Sequence, residues 1–131
     1  MTADRPERQP YEYALLRATP RQDRGECINV GVILYCQPRD YLDVAVHVDA
    51  DRLRALDGQI DPAAVLAAAE ALGRTARDGA PDSAREGGGL GALFRWLTAP
   101  RSTVVHPGPV HAGMLTEPAA ELQRLLDRLV R

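Results

Sequence analysis

The segment from Tyr41 to Asp49 shows the clearest alternation of apolar and polar residues in the chain. In an extended strand its side chains divide into an apolar face with Leu42, Val44, Val46 and Val48 and a second face with Asp43, Ala45, His47 and Asp49. A period of two with one apolar face is typical of an antiparallel sheet that buries that face. Residues 11–18, 26–36 and 101–106 also predict strands.

After Asp49 the apolar period changes to that of a helix. A short helix is predicted from Asp49 or Asp51, because either side chain can cap its first turn. Asp61 followed by Pro62 predicts a longer helix that runs to about Arg77. Two more helices, the last one capped by Thr116, carry apolar stripes, which consist of Leu90, Leu93, Phe94 and Leu97 and of Leu122, Leu125, Leu126 and Leu129.

The order of these elements predicts an α+β fold, because strands come first, helices follow, and a strand and a helix end the chain. We expect an antiparallel sheet of about four strands covered on one face by helices, with a C-terminal amphipathic helix. Residues 1–10 are expected to form a flexible N-terminal arm, and residues 11–131 a single domain with a flexible loop at 79–89. Residues 107–113, which contain two prolines, predict another loop.

Composition narrows the classes of function. The chain has 131 residues, a net charge of −2 and no lysine, since all 16 basic residues are arginine. Schiff-base chemistry and a lysine-containing phosphate loop are therefore excluded, and nothing draws the whole chain toward nucleic acid or an anionic membrane. The arginines fit either forked anion recognition or codon bias in a GC-rich genome, and the abundance of Ala, Gly, Pro and Asp favours codon bias.

Neither a metal, a cofactor nor a disulfide is expected. Cys27 and Cys36 are nine residues apart on one predicted strand and would face opposite sides of it. The spacings of the two cysteines and three histidines match no standard zinc site. The chain shows no secretory signal and no apolar run of about 18 residues, so a cytoplasmic location is expected.

A first polar cluster lies at the entry to the second predicted strand. Arg21 and Arg24 on a short loop could together bind a carboxylate or phosphate, and Glu26 could orient one of them or act as a base. The alternative is a solvated loop with an internal ion pair. Asn29 and Gly31 interrupt the strand, and both are poor strand formers. The strand must therefore hold a polar group or allow another group to approach its backbone closely.

A second polar cluster follows Pro100. Arg101 and Ser102 at a strand entry could bind an anion, or Ser102 could simply satisfy exposed backbone groups. His111 closes a proline-rich loop that could place an imidazole for acid–base work, although such loops more often only fix the direction of the chain. If the strand after Arg101 joins the sheet, we expect it to bring Arg101 and Ser102 near the loop from Arg21 to Asn29.

These segments together carry a resemblance to a known family. They are Ala-Leu-Leu-Arg-Ala-Thr-Pro-Arg, Glu-Cys-Ile-Asn-Val-Gly-Val-Ile-Leu-Tyr-Cys, Phe-Arg-Trp-Leu-Thr-Ala-Pro-Arg-Ser-Thr-Val-Val and Pro-Val-His-Ala-Gly. The chain resembles the bacterial family called domain of unknown function 3037 from Tyr11 to Arg131. By that resemblance the motif positions are Arg21, Glu26, Asn29, Gly31, Trp96, Arg101, Ser102 and His111.

The resemblance implies a partner rather than an activity. Members of the family are often encoded beside a HipA-like kinase-fold protein, which implies an accessory role and a protein partner. A homodimer is the other assembly that the sequence allows.

The residues favour a non-catalytic binding module over an enzyme, because the chain shows no recognisable nucleophile–base pair. The binding groups would be Arg21, Arg24, Asn29, Gly31, Arg101 and Ser102. The alternative is a small enzyme that acts on a phosphorylated or carboxylated substrate, with Glu26 or His111 as the acid–base group.

Overall fold

The computed structural model describes residues 7–79 and 89–131 of the chain. Its centre is a four-stranded antiparallel sheet in the order β3-β2-β1-β4, formed by β1 (Gln9–Ala18), β2 (Ile28–Cys36), β3 (Tyr41–Val46) and β4 (Val105–Leu115). The α-helices within the described residues are α1 (Ala50–Leu56), α2 (Pro62–Asp78), α3 (Gly89–Leu97) and α4 (Pro118–Leu129). The predicted α+β class, the four-stranded antiparallel sheet and the C-terminal helix are confirmed.

Two of the predicted flexible segments fall largely outside this description. Strand β1 begins at Gln9, inside the predicted arm of residues 1–10, whose residues 1–6 lie outside the described residues. Of the predicted loop 79–89, only its ends are described: Gly79 caps the C-terminal end of α2, and Gly89 begins α3.

Helices lie on both faces of the sheet. Ile33 and Leu34, adjacent on β2, point to opposite faces and belong to two separate cores. We call the side of Ile33 the three-helix face, because its core contains residues of α1, α2 and α3. The side of Leu34 is the α4 face, where α4 buries Leu122, Leu125 and Leu126. The sequence predicted one covered face; the leucine stripe of α4 covers the second.

Local sequence explains where most helices begin. The Asp49 carboxylate accepts hydrogen bonds from the backbone N–H groups of Asp51 and Arg52 at 3.0 and 3.1 Å, and the Asp61 carboxylate accepts one from Ala63 at 3.0 Å. Both caps were predicted. The prediction that Thr116 caps α4 is wrong by one residue.

Glu117 is the N-terminal cap residue of α4, and it makes no side-chain cap hydrogen bond. Pro118 occupies the first helical position, where its missing N–H leaves one donor fewer to satisfy.

Strand β4 differs most from expectation. The predicted loop 107–113 is extended backbone, and the predicted strand at 101–106 begins only at Val105. Proline is tolerated because β4 is an edge strand, paired with β1 on one side only.

The pairing of β4 with β1 contains a bulge. It passes from Ala14–Val110 to Leu16–Pro107, so two steps along β1 correspond to three along β4. The bulge at Gly108 and Pro109 takes up the extra residue.

A second bulge explains Gly31. The β1–β2 pairing passes from Leu16–Gly31 to Arg17–Asn29, which leaves Val30 as the extra residue. Val30 is fully buried in the core of the three-helix face. A Cβ on Gly31 would lie 2.7 Å from the Ala45 carbonyl oxygen and 3.2 Å from Leu16 Cδ1. Only glycine lets the strands approach so closely at this point.

We expect Gly31→Ala to lower the free energy of unfolding by about 1–3 kcal/mol, because the new methyl group meets backbone that cannot move aside easily. Urea denaturation measures this. Gly58→Ala is the matched control, because a Cβ at Gly58 meets no atom within 4 Å. Equal stability of Gly31→Ala and the wild type would contradict this explanation of the glycine.

Helix α4 is tied to β1 by a polar network. The hydroxyl of the buried Tyr11 donates a short hydrogen bond to Glu121, and the Arg124 guanidinium donates to both carboxylate oxygens of Glu121 at 2.8 and 2.7 Å. The hydrogen bond from Arg124 lowers the pKa of Glu121. Burial and the hydrogen bond to the Glu121 carboxylate raise the pKa of Tyr11 far above its usual value.

Because the pKa of Tyr11 is raised in the folded protein, part of the folding stability is lost at alkaline pH. The neutral phenol of Tyr11 is favoured in the folded state, so its contribution is complete below the unfolded pKa of about 10 and is lost as pH rises above it. We expect Tyr11→Phe to flatten the fall in stability above pH ~10, measured by urea denaturation across that range. An unchanged slope in Tyr11→Phe would contradict the assignment, and Tyr13→Phe is the control on the same strand.

Candidate functional site

A cleft of about 460 Å³ opens between α2 and the segment that leads into β4. Ala64, Ala68 and Leu72 of α2 form one wall, and Val104 and Val105 form part of the other. Polar groups are few and lie among these apolar ones. A concave, mainly apolar surface with a small number of polar groups is typical of a binding site.

The sequence of α2 explains its wall. Ala64, Ala68 and Leu72 are spaced four residues apart and therefore lie on one side of the helix. Val65 and Ala69, one position further along, point into the core of the three-helix face. Because alanine side chains are short, the wall leaves room beside the helix.

Arg101 supplies the cationic group of the cleft. Its guanidinium carbon lies 4.6 Å from the centre of the Trp96 ring, and its Nη2 donates to the Trp96 carbonyl oxygen at 2.7 Å. Trp96 is in the last turn of α3, where carbonyl groups have no partner within the helix and attract cations. Within the described residues no carboxylate pairs with Arg101, so a fixed guanidinium keeps donors available for a ligand.

Two carboxylates also line the cleft. Asp57 and Asp61 each accept a hydrogen bond from a nearby backbone N–H, of Gln59 and Ala63 respectively, both at 3.0 Å. The cleft therefore has acidic groups between α1 and α2 and a basic group at Arg101.

The β1–β2 loop lies beside the segment that carries Arg101. The Thr19 backbone N–H donates to the Val104 carbonyl oxygen at 2.8 Å, and the Gln22 amide donates to the Thr103 carbonyl oxygen at 3.5 Å. The buried Thr19 hydroxyl also shares a hydrogen bond of 2.8 Å with His106 Nε2. Backbone contacts thus bring the two predicted polar segments together at this end of the sheet.

The charged side chains of that loop pair with each other. Arg21 forms an exposed ion pair with Asp23 at 2.8 Å, and Arg24 forms one with Glu26. The hydrogen bonds that Arg21 donates to Asp23 raise the pKa of Arg21, and Asp57 of the cleft adds a smaller contribution. Exposed pairs of this kind add little stability. A ligand-binding role for Arg21 and Arg24 stays a prediction.

Asn29 faces away from the cleft. Its side-chain amide donates to the Leu129 carbonyl oxygen at 3.0 Å, and Arg52 Nη1 donates to the Val130 carbonyl oxygen at 2.9 Å. Both carbonyls belong to the C-terminal end of α4, which would otherwise lack partners. Asn29 therefore anchors the last helix to β2, and a binding role for Asn29 or Gly31 stays a prediction.

The remaining candidates also lie apart from one another. His111 lies on an exposed part of β4, and its ring centre is 5.3 Å from that of Tyr13. It is six residues from Val105, which is roughly 20 Å along the strand. Ser102 is exposed beside Arg101. Neither Glu26 nor His111 lines the cleft, and a catalytic role for either stays a prediction.

Sequence inspection missed the α2 wall. Its signal was present, since Ala64 and Ala68 are small residues on the exposed side of a helix whose core side is occupied by Val65 and Ala69. That signal alone does not tell a binding wall from an ordinary solvated surface, because what faces it is decided by the packing of a segment 30 to 40 residues away.

Residues 7–79 and 89–131 contain neither a candidate metal site nor a candidate membrane-spanning helix. No group of three or more His, Cys, Asp or Glu side chains there is arranged to hold a metal ion. None of the helices described is long and apolar enough to span a membrane. The cytoplasmic location stays a prediction.

We expect Asn29→Ala to lower the free energy of unfolding by about 1–2 kcal/mol, because it leaves the Leu129 carbonyl without its donor. Asn29→Asp should cost more than Asn29→Ala, because a carboxylate would face a carbonyl oxygen at the negative end of a helix. Urea denaturation compares the two. Greater stability of Asn29→Asp than of Asn29→Ala would contradict the anchoring role.

Comparison with known proteins gives a family and no function. No curated protein and no solved structure matches the chain significantly. The family model described as protein of unknown function (DUF3037) matches residues 13–130, nearly the whole chain, as the resemblance of its motifs implied. The chain therefore belongs to the DUF3037 family.

Proposed function

We propose that this protein is a non-catalytic binding module whose α2 cleft takes an apolar segment of a partner protein that carries a carboxylate. The observation that carries the proposal is the position of Arg101 in an apolar cleft of about 460 Å³. The guanidinium is oriented by Trp96 before any ligand arrives, so little side-chain entropy remains to be lost on binding.

The proposed ligand follows from the lining. Ala64, Ala68 and Leu72 offer apolar contact, which stabilises a complex by removing that surface from water. A carboxylate at Arg101 would add charge-assisted hydrogen bonds, each worth roughly 1.5–3 kcal/mol. Asp57 and Asp61 would repel a carboxylate placed in the opposite orientation, so the three charges fix the direction in which the segment binds.

The proposed partner is the HipA-like kinase-fold protein that the family resemblance implies. In this account the protein acts as its accessory in the cytoplasm. The two polar segments that the sequence singled out lie at the same end of the sheet as the cleft, with Arg101 inside it and Arg21 on the neighbouring loop.

Catalysis has less support than binding. A small enzyme with Glu26 or His111 as its acid–base group would need that group beside the arginines that hold the substrate. The Glu26 carboxylate is paired with Arg24 on an exposed loop, and His111 lies far along β4. The binding proposal requires no such convergence, because Arg101 and the apolar wall are sufficient for it.

The proposal is tested by purifying the chain with a HipA-like kinase-fold protein of the same organism and measuring their dissociation constant by calorimetry. We expect Arg101→Gln to weaken binding by at least about tenfold, because it removes the charge from the fixed donor group. Ala68→Glu should also weaken it by at least about tenfold, because it fills the cleft and adds a negative charge.

Ala67→Glu is the matched control, because Ala67 is exposed on the same helix but does not line the cleft. It should leave affinity within about twofold of the wild type, and circular dichroism should show that all three variants are folded. The proposal is wrong if the two proteins do not associate, or if Arg101→Gln and Ala68→Glu bind as tightly as Ala67→Glu.

A further inference from the structure

Strand β4 has an open edge. It is the last strand of the sheet and pairs only with β1, so every second backbone N–H and C=O group along its other side faces outward. Its residues 109–112 are all exposed, on both faces of the sheet. Met114 is exposed as well, whereas Leu115 at the end of the strand is buried in the core of the α4 face.

The opposite edge, β3, is guarded in the ways that usually prevent pairing. It has only six residues, and Asp43 near its centre forms an ion pair of 3.2 Å with Arg77 of α2. Short length and charge are common protections of edge strands. The β3 edge of this sheet is therefore protected against pairing with another strand by its length and charge.

Strand β4 lacks those protections over its second half. It has eleven residues, and none of them is Asp, Glu, Lys or Arg. Pro107 and Pro109 remove N–H donors from the first half, but Val110 to Leu115 contain no proline. That six-residue stretch can therefore accept a further strand.

Exposed apolar side chains concentrate at the same place. Val110 is 44% exposed and Met114 is 55% exposed, the largest values among the exposed large hydrophobic residues of the described chain. Residues directly opposite in an antiparallel pair share a face. Val110 pairs with Ala14 and Met114 with Pro10, so both lie on the three-helix face, beyond the area that the helices cover.

We propose that β4 pairs antiparallel with β4 of a second copy of this chain, with Ala112 on the two-fold axis. Two four-stranded sheets would then join into one sheet of eight strands. In this register Val110 lies opposite Met114 of the other copy, and His111 lies opposite Gly113. Apolar side chains meet on one face, and on the other each imidazole lies over a glycine rather than against another imidazole.

Charge argues for a second copy as the occupant of this edge. An uncharged strand meets itself without repulsion and offers nothing that would favour a charged partner strand. Its own sequence also supplies matching side chains in the symmetric register, as an isologous two-fold interface requires. The small side chain of Ala112 allows the closest approach at the axis. This interface is separate from the α2 cleft and does not depend on the proposed function.

Cross-linking tests the register directly. In a Cys27→Ser background, which removes the exposed thiol, Ala112→Cys places one cysteine on the two-fold axis. Paired Cα atoms in an antiparallel ladder lie about 4.5–5.5 Å apart, within the range of a disulfide. We expect oxidation to give a covalent dimer on a non-reducing gel. Ala67→Cys in the same background, exposed on α2, is the control and should remain largely monomeric.

Sedimentation analysis tests the dimer without cross-linking. The wild type should be dimeric at high micromolar concentration, and the double variant Val110→Lys, Met114→Lys should be monomeric with an unchanged circular dichroism spectrum. Leu66→Lys, at an apolar position 37% exposed on α2, should remain dimeric. A monomeric wild type overturns the proposal, as does an Ala112→Cys variant that cross-links no better than Ala67→Cys.

Discussion

The pairing of β1 with both of its neighbours is the constraint on which the rest of the structure depends. β1 joins the N-terminal hairpin to β4, which arrives nearly ninety residues later in the chain, and the two bulges in its pairings adjust each side. On the β2 side the bulge turns Val30 into the core and requires glycine at 31. On the β4 side the bulge takes up Gly108 and Pro109. Because β1 ends at Ala18, Thr19 meets Val104 and holds the segment with Arg101 beside α2.

In this arrangement, polar residues that look alike in the sequence have different structural roles. Asn29 and Arg101 are both polar residues near strand entries, yet Asn29 serves the end of α4 on one face and Arg101 lies in the cleft on the other side. Arg101 differs because its guanidinium rests on Trp96 and donates only to one backbone carbonyl among the described residues. A polar group with donors to spare beside an apolar wall suits recognition, whereas one that donates to the end of a helix suits anchoring.

Local signals account for what could be predicted. The alternation in β3, the aspartate caps at Asp49 and Asp61 and the leucine stripe of α4 each depend on neighbours in sequence, and the structure has all of them. The extent of β4 could not be predicted, because proline argues against a strand unless the strand is known to lie at an edge. Asn29 and Gly31 were recognisable as unusual, but the bulge and the helix end that explain them come from distant parts of the chain. The same holds for the cleft, whose two walls meet only in the folded protein.

We propose that partner recognition takes place in the cleft beside Arg101. Nuclear magnetic resonance of the isotope-labelled protein, titrated with the proposed kinase-fold partner, reports on this cleft residue by residue. We expect the largest chemical-shift changes on Ala64, Ala68, the Arg101 side chain and the Trp96 indole, because all four line the cleft or hold Arg101 there. Shift changes confined to the Arg24–Glu26 loop or to His111, with the α2 wall and Trp96 unchanged, would contradict it.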